Sequence, residues 1–338
     1  MNLTIQLLRA IGSPFVTRET VSIGQGEISA LYQHSIKNRM VFYYLNRIGE
    51  KNLGELTSFY EREYLKYSKT HDAISRVSQI LTDTNIEHAV IKTIRPYKST
   101  TVDIDVIIFG VESEYKKAIL TLLSAEYGML GQGPQSTTLQ DPRINIKVDI
   151  YKEVAVSHIV YLDKRKLANF SVTKKLPNGE SVKILTPEAD LATVIAHSII
   201  KEHMYTLSEY FTFVGYLTQI DLNKFIQFLI ESNITVPTQT HATITALLHN
   251  EAFGMVPKPL QDILDYLGEA TLEATLVMNG FKMPHKYHPL TVGRSMLEIA
   301  KGEKSRKSMA RQLLRMLKPS FTKEFTKLFL DHLTRETY

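Results

Sequence analysis

The segment TTVDIDVIIF, residues 100–109, constrains the fold more than any other, because it places two acidic residues inside a run of β-branched residues. Such a run predicts a buried strand. Side chains alternate along a strand, so Asp103 and Asp105 share one face of it. Two unpaired carboxylates side by side in a buried strand are costly. The pattern therefore predicts that something positive lies between them.

A later segment offers a third carboxylate. Residues 143–154 read RINIKVDIYKEV, and their alternation predicts a strand with Asp149 on its polar face. If the two strands are neighbours, Asp149 completes a cluster whose oxygens suit Mg²⁺ or Mn²⁺. A second ion about 3.5–4 Å from the first would clamp both ends of a phosphoryl displacement. An isolated DxD is more often plain polar surface, and the third aspartate is what favours a site here.

The stretch before the two-aspartate strand carries groups that can bind phosphate. A short run, HAVIKT at residues 88–93, predicts a strand that ends in Lys92 and Thr93, and a basic, hydroxyl-bearing loop follows it. Beside two aspartates, these residues are candidates for phosphate contact, although the arginine and the second lysine are equally explained as solvated surface. The candidates are Lys92, Thr93, Arg95, Lys98 and Ser99.

Apolar spacing divides the chain into helical, mixed and helical parts. It predicts helix over residues 27–48, over 113–129 and for most of the chain after Pro187, with Thr186 as the cap of that last region. PNG at 177–179 predicts a hairpin. The expected fold is α+β, with a small mixed sheet between two helical regions. The predicted division is 1–85, 86–185 and 186–338.

Composition limits the kinds of functional site that the chain can form and the cellular location that we expect for it. The 338 residues contain no cysteine, which excludes disulfides, thiolate metal sites and a cysteine nucleophile. No apolar window is long enough to predict a membrane span, and the N-terminal segment is a poor match to a signal peptide. We therefore expect a cytoplasmic protein. The sequence does not indicate an oligomeric state.

Basic residues are concentrated near the C-terminus. Residues 282–318 carry ten Lys or Arg against two Glu, a net charge of +8 in a chain whose total is +5. The basic stripe, defined as Lys304, Lys307, Arg311, Arg315 and Lys318, follows helical spacing. It predicts binding to the phosphates of RNA or DNA, with a solvated helix face or a membrane surface as alternatives. Met309, Leu313, Met316 and Leu317 are expected to dock this helix on the body.

The arrangement of a strand, a loop, hDhDh on a second strand and hDh on a third (h, hydrophobic) resembles the nucleotidyltransferase superfamily related to DNA polymerase β. The segments SQILTDTNIEHAVIKT and TPEADLATVIAHSI narrow the resemblance to a prokaryotic group with LKG at the first turn, over roughly residues 55–230. In the superfamily, three carboxylates hold two Mg²⁺ ions and the triphosphate of a nucleotide. The resemblance implies that Asp103, Asp105 and Asp149 are these catalytic metal ligands.

The resemblance also implies a reaction and an alternative to it. The expected function is Mg²⁺-dependent transfer of a nucleotidyl group from an NTP such as ATP to an acceptor, which is RNA, a protein or a small molecule. The helix after the core can reach the triphosphate in similar proteins, which makes His197 or Lys201 a candidate; a packed role explains His197 equally well. One departure supports a catalytically inactive homologue that binds RNA or a protein partner: Lys92–Thr93 stands where the superfamily usually has Gly-Ser or Gly-Gly.

Overall fold

The computed structural model of the chain describes residues 2–17, 25–49, 53–319, 321–323 and 326–327. Within these ranges, helices dominate both ends and strands occupy the middle. The helices are α1 (Leu3–Ile11), α2 (Gln25–Lys37), α3 (Val41–Ile48), α4 (Thr57–Asp83), α5 (Glu112–Ser124), α6 (Lys164–Ala168), α7 (Pro187–His197), α8 (Leu207–Tyr216), α9 (Leu222–Ser232), α10 (Thr235–Phe253), α11 (Lys258–Leu267), α12 (Thr275–Met278), α13 (Pro289–Ile299) and α14 (Glu303–Met316).

The strands form one large mixed sheet and two small pairs. They are β1 (His88–Ile91), β2 (Asp103–Ile108), β3 (Gly128–Gln132), β4 (Ser136–Gln140), β5 (Lys147–Tyr151), β6 (Val154–Val156), β7 (Ile159–Leu162), β8 (Ser171–Lys175), β9 (Ser181–Leu185), β10 (Met204–Tyr205) and β11 (His285–Lys286). The large sheet has the order β3-β4-β5-β2-β1-β9-β8. Strand β2 is parallel to β5, and β1 is parallel to β9, whereas the remaining neighbours are antiparallel.

Both faces of the sheet are covered, so its central strands are buried on both sides. Ile104, Val106 and Ile108 of β2 pack against α4 and α5 on one face. Ile107 of β2 points to the other face, where it joins a larger core with helices from both ends of the chain. This two-sided burial explains why β2 reads as a nearly continuous β-branched run. The expected α+β fold with a mixed sheet between helical regions is confirmed; the domain boundaries stay a prediction.

Several predicted elements differ at their ends. The helix predicted over 113–129 ends at Ser124, and β3 begins at Gly128. The strand predicted over 143–154 is confined to Lys147–Tyr151, because the Asp141 carboxylate accepts hydrogen bonds from the backbone of Arg143 and Ile144 and closes a turn there. Periodicity also missed β3, β4, β6, β7, β10 and β11, which are short.

The predicted start of α7 is correct, and Thr186 occupies the N-cap position, but its side chain does not cap the helix. Pro187 occupies the first turn, as expected. The hydroxyl of Thr186 makes no capping hydrogen bond, and its oxygen is buried without a partner. The backbone N–H of Thr186 instead donates to the carbonyl of Phe170, which ties the start of α7 to the strand region.

The face by which α14 packs also differs from the expectation. Ser305, Ser308 and Gln312 are buried, and the Ser308 hydroxyl accepts a hydrogen bond from the backbone of Val160 in β7. Met309 and Met316 are partly buried, but Leu313 is 65% exposed and Leu317 is 78% exposed. The predicted apolar docking stripe is therefore wrong in its leucines, because β7 offers backbone groups that small polar side chains satisfy. No helix in the described ranges has the length and apolarity needed to cross a membrane.

Candidate metal site and its surroundings

The three aspartates converge because of strand register. Strands β2 and β5 run parallel, with Asp105 directly opposite Asp149 and Asp103 opposite Lys147. Since alternate residues share a face, Asp103 joins the other two carboxylates on one side of the sheet. One carboxylate oxygen from each residue lies within 4.8 Å of the others. This aspartate cluster, Asp103, Asp105 and Asp149, has the oxygen donors and the spacing that suit a Mg²⁺ or Mn²⁺ ion.

Burial and mutual repulsion act against the negative charges of the aspartate cluster. Burial, followed by the neighbouring Asp105 charge, raises the pKa of Asp103 to about 6. Burial also raises the pKa of Asp149, although the Thr138 hydroxyl donates to Asp149 Oδ1 over 2.5 Å. Like charges held together in a partly dry site are stabilised by a cation. The donor set therefore fits a divalent metal, which would be held by the three carboxylates.

One cation already lies beside the cluster, and it is Lys92. Its Nζ is 3.1 Å from Asp105 Oδ2, and its side chain is only 5% exposed. Burial alone would raise the pKa of Asp105, but the charges of Lys92 and Lys201 hold that pKa below its usual value. We predicted that Lys92 contacts phosphate; in the structure its ammonium contacts the Asp105 carboxylate. Its phosphate contact stays a prediction.

The turn that carries Lys92 has the backbone conformation of the glycine that the sequence lacks. Lys92 has a φ of 56°, a value that favours glycine. The backbone N–H of Thr93 donates to the Ile91 carbonyl over 2.6 Å and closes a three-residue γ-turn. Lys92 N–H donates to Asp190 Oδ1 over 2.7 Å, and Tyr216 donates to Asp190 Oδ2. The buried Asp190 of α7 therefore holds this turn in place.

His197 links Lys92 to the end of α7. Its Nδ1 is 3.2 Å from Lys92 Nζ and 3.1 Å from the Tyr161 hydroxyl, and its Nε2 is 3.1 Å from Glu202 Oε1. An ammonium can only donate, so the His197 Nδ1 is the acceptor. The ring proton is therefore on Nε2, which donates a hydrogen bond to Glu202. Burial, then the charges of Lys92 and Lys201, lowers the pKa of His197 to about 3. His197 is therefore neutral and orients Lys92 in this structure.

A π-helical turn, Ser198–Glu202, places two further charged groups at the site. Such turns often occur at functional sites, since they shift side chains off the regular helix face. Lys201 lies with its Nζ 6.0 Å from the centre of the Tyr151 ring, beside the aspartate cluster. This brings Lys201 beside the metal-site residues, while Glu202 contacts His197; the contact of Lys201 with a triphosphate stays a prediction.

The remaining predicted phosphate contacts lie farther along the loop and make contacts of their own. The Thr93 hydroxyl donates to the Ile91 carbonyl and accepts from the backbone N–H of Asp105. Arg95 donates to Thr212 of α8, and Lys98 donates to Asn46 of α3 over 3.4 Å. Ser99 is half-buried. The loop is thus fastened to both helical regions, and the phosphate roles of these residues stay predictions.

Several residues near the site were not found from the sequence. Arg39, at the turn between α2 and α3, is close enough that its charge lowers the pKa of Asp103 against the stronger effects of burial and Asp105. Three further residues hold Lys92 in place: Asp190 through the Lys92 N–H, and Tyr161 and Glu202 through His197. A usable signal existed for one of them, because Asp190 interrupts an otherwise apolar stretch, ADLATVIAH. An acid in that setting indicates a buried hydrogen-bonding role.

Four members of the basic stripe lie on α14, Lys318 follows the end of that helix, and the five differ in their surroundings. Lys304 is 28% exposed and contacts Glu153 and Asp163 of the body. Lys307 contacts Glu303 one turn earlier on the same helix. Arg311, Arg315 and Lys318 are exposed. The predicted stripe therefore exists as a solvent-facing row, except that Lys304 is partly committed to the body.

Comparisons with known proteins give a distant likeness. No protein-family model matches the chain, and no curated protein matches it. Among solved structures, an antigenic nucleotidyltransferase-like protein from Paracoccidioides brasiliensis is 15% identical, with a TM-score of 0.29, over 64% of this chain and 93% of that one. The STING-associated CdnE c-di-GMP synthase from Capnocytophaga granulosa is 14% identical, with a TM-score of 0.31, over 84% of this chain and 98% of that one. At these identities and TM-scores, both likenesses are distant.

Proposed function

We propose that the protein is a nucleotidyltransferase that uses Mg²⁺ or Mn²⁺ to move a nucleotidyl group from an NTP to an acceptor hydroxyl. The observation that carries this proposal is the convergence of Asp103, Asp105 and Asp149 from two parallel strands, with one oxygen of each within 4.8 Å of the others. A divalent ion bound there would offset the negative charge of the triphosphate and of the α-phosphate during transfer. The sequence pattern supports the same reaction.

The side chains of the site would divide the work. Asp103 and Asp105 would hold the ion against the nucleotide. Asp149 would bind it on the acceptor side and help to deprotonate the acceptor hydroxyl, while the Thr138 hydroxyl donates to its Oδ1 and holds the carboxylate in place. The new bond joins the acceptor oxygen to the α-phosphorus, and the bond to the β-phosphate breaks, so pyrophosphate leaves.

Basic residues around the cluster would bind the triphosphate. Lys201 lies beside the carboxylates, and Arg39 approaches from the N-terminal helical region. Fixed positive groups of this kind stabilise charge that develops on a leaving pyrophosphate. Arg95, Lys98 and Ser99 would extend this binding along the loop if the bound nucleotide draws them from their contacts with α3 and α8.

RNA is the acceptor that we favour, on the evidence of the basic stripe. A row of exposed cations matches a phosphate backbone and requires no base recognition. The functional test is to incubate the protein with each α-labelled NTP, Mg²⁺ or Mn²⁺ and total cellular RNA. Labelled RNA is the expected result. Pyrophosphate release without RNA labelling would point to a protein or small-molecule acceptor.

A catalytically inactive protein that binds RNA or a protein partner is the second candidate. The ion pair between Lys92 and Asp105 favours it, since this pair supplies the cluster with a cation of its own. Metal binding separates the candidates, because an inactive scaffold has no need of a metal. Absence of both Mn²⁺ binding and NTP turnover would select the second candidate.

A further inference from the structure

The position of Lys92 is unusual for a residue that would only contact phosphate. Its ammonium is 3.1 Å from Asp105 Oδ2 and 3.2 Å from His197 Nδ1, and it lies 5.2 Å from the centre of the Tyr151 ring. A cation held by a carboxylate, an imidazole and an aromatic face is fixed in place rather than mobile. Lys92 therefore belongs to the aspartate cluster itself.

The backbone around Lys92 is arranged to keep the ammonium there. A lysine at a φ of 56° adopts a conformation that glycine takes more readily, and Asp190 secures it through the Lys92 N–H. Strained residues of this kind persist where the surrounding structure over-determines them, often at functional sites. Glu202 and Tyr161 fix His197 on the far side of the ammonium. Two independent sets of contacts, one to the backbone N–H and one to the ammonium, thus fix the position of the Lys92 side chain.

The carboxylate oxygens leave room for one ion more readily than for two. Lys92 occupies Asp105 Oδ2, and the Thr138 hydroxyl occupies Asp149 Oδ1. One oxygen from each of the three aspartates lies within 4.8 Å of the others, which is the arrangement that a single ion needs. A second ion about 3.5–4 Å away would need further carboxylate oxygens, and two of the cluster's oxygens already accept hydrogen bonds from the protein.

The net charge of the site is also consistent with a single bound ion. Three carboxylates with two divalent ions carry a net charge of +1. Three carboxylates with one divalent ion and the ammonium groups of Lys92 and Lys201 carry the same +1, and the nearby charges of Arg39 and Glu202 cancel in this sum. The two lysines therefore supply, without a second metal, the charge that a two-ion site would present to a triphosphate.

We propose that the aspartate cluster binds a single divalent ion and that the Lys92 ammonium stands in place of a second one. This inference rests on the proposed function, since it specifies how the metal site of the transferase is built. His197 is then a positioning residue, because it orients Lys92 and does not reach the carboxylates itself in the contacts described above.

The first test counts metal ions on the wild-type protein and needs no variant. Equilibrium dialysis with Mn²⁺ and inorganic tripolyphosphate, a stand-in for the nucleotide's triphosphate, gives the number of ions bound per chain. Electron paramagnetic resonance then distinguishes an isolated Mn²⁺ from a spin-coupled pair. One isolated ion per chain is expected. Two coupled ions would overturn the inference and leave the proposed function intact.

The second test removes the ammonium while keeping the length of the side chain. Lys92→Met is expected to bind two Mn²⁺ ions with tripolyphosphate and to show the coupled signal. Lys183→Met is the matched control, because Lys183 is an exposed lysine on β9, the strand beside β1. It should bind one ion, like the wild type. A count of one in Lys92→Met, or of two in Lys183→Met, would show that Lys92 does not set the number of ions.

The two proposals fail in different ways in this experiment. If the wild type binds no Mn²⁺ under any condition, or if Asp105→Asn binds it as well as the wild type does, the metal site is absent and both proposals are wrong. If the wild type binds two ions that Asp105→Asn loses, the transferase site stands and only the role given to Lys92 is wrong.

Discussion

The aspartate cluster and the basic stripe are both rows of like charge, but the fold treats them in opposite ways. The cluster is held together by strand pairing, largely out of water, and burial with mutual repulsion raises the pKa of Asp103 to about 6. The stripe lies mainly at the surface, where water screens its charges from one another. Like charges that are buried together lower the stability of the fold, whereas like charges exposed to water lower it little. The buried aspartate cluster therefore implies a bound ligand far more strongly than the exposed basic stripe does.

The largest expected effect is the loss of transfer when the cluster loses a ligand. Asp105→Asn should lower the transfer rate on the order of 10³-fold or more, because several kcal/mol of charge stabilisation depends on the bound ion. Initial rates with the preferred NTP measure this. Asp265→Asn, an exposed acid on α11, is the matched control. Comparable activity in Asp105→Asn and the control would mean that the cluster is not the catalytic centre.

A somewhat smaller effect separates the two sides of the cluster. Asp149→Asn should lower kcat roughly 10²–10⁴-fold and leave nucleotide affinity nearly unchanged, since Asp149 is assigned to the acceptor proton. Asp103→Asn should weaken nucleotide binding as well. Nucleotide titration followed by single-turnover kinetics distinguishes the two variants. Equal losses of nucleotide affinity would contradict this division of labour.

The charge held in the cluster should also be visible in stability. The folded-state pKa of Asp103, about 6, exceeds the ordinary aspartate value of 3.8, so between these pH values the folded protein binds more protons than the unfolded chain. The free energy of unfolding of the metal-free protein therefore falls as pH rises through this window. Asp103→Asn removes the penalty, on the order of 2 kcal/mol, and should raise Tm at pH 7.5 by roughly 3 °C.

Two controls make this stability prediction specific. Near pH 4 the wild type and Asp103→Asn should melt at similar temperatures, because the wild-type carboxyl is then protonated. With saturating Mn²⁺ at pH 7.5 the order should reverse, because only the wild type gains binding energy from the ion. A variant that melts below the metal-free wild type at pH 7.5 would assign Asp103 a structural role.

The smallest effect concerns the basic stripe. Changing Lys307, Arg311 and Arg315 to Gln should flatten the slope of log K against log[salt] for single-stranded RNA by about 2, because each phosphate contact releases roughly 0.7 counterion. Affinity should fall alike for unrelated RNA sequences. The control changes Lys66, Lys69 and Lys224, which are exposed on other helices. An unchanged slope in the stripe variant would leave RNA without a binding surface on α14.

The aspartate cluster was predictable because strand geometry has a short period. Alternation placed Asp103 and Asp105 on one face, and the buried β-branched run identified β2 as a central strand. That the two strands are neighbours was only a condition of the prediction, and the register that sets Asp105 opposite Asp149 comes from the structure. The α+β class was predictable for the same reason, since the apolar period changes from helix to strand and back along the chain.

The surroundings of the cluster were less predictable, because they depend on contacts distant in sequence. Lys92 is held by Asp190, 98 residues away, in a conformation that no local pattern announces for lysine. His197 and Glu202 meet through a π-helical turn, and regular α-helical spacing does not place such residues together. Arg39 reaches the site only through the packing of the N-terminal helices.

Helix α14 shows why an amphipathic pattern does not identify the packed face. The 3–4 spacing of charged and apolar residues correctly predicted a helix with a basic row. The side against the body, however, carries Ser305, Ser308 and Gln312 rather than the leucines, because the neighbouring strand β7 presents backbone groups to be satisfied. The surface against which a helix packs decides which of its faces is buried. The sequence of the helix alone does not specify that surface.

The most direct test of the central claim is crystallographic. Crystals grown with Mn²⁺ and inorganic tripolyphosphate, measured at a wavelength where manganese scatters anomalously, locate bound ions without reference to any model of the reaction. The account predicts anomalous density within about 2.5 Å of oxygens from Asp103, Asp105 and Asp149. Density bound elsewhere, or no density beside these three carboxylates at saturating Mn²⁺, would contradict the assignment of the aspartate cluster as a metal site.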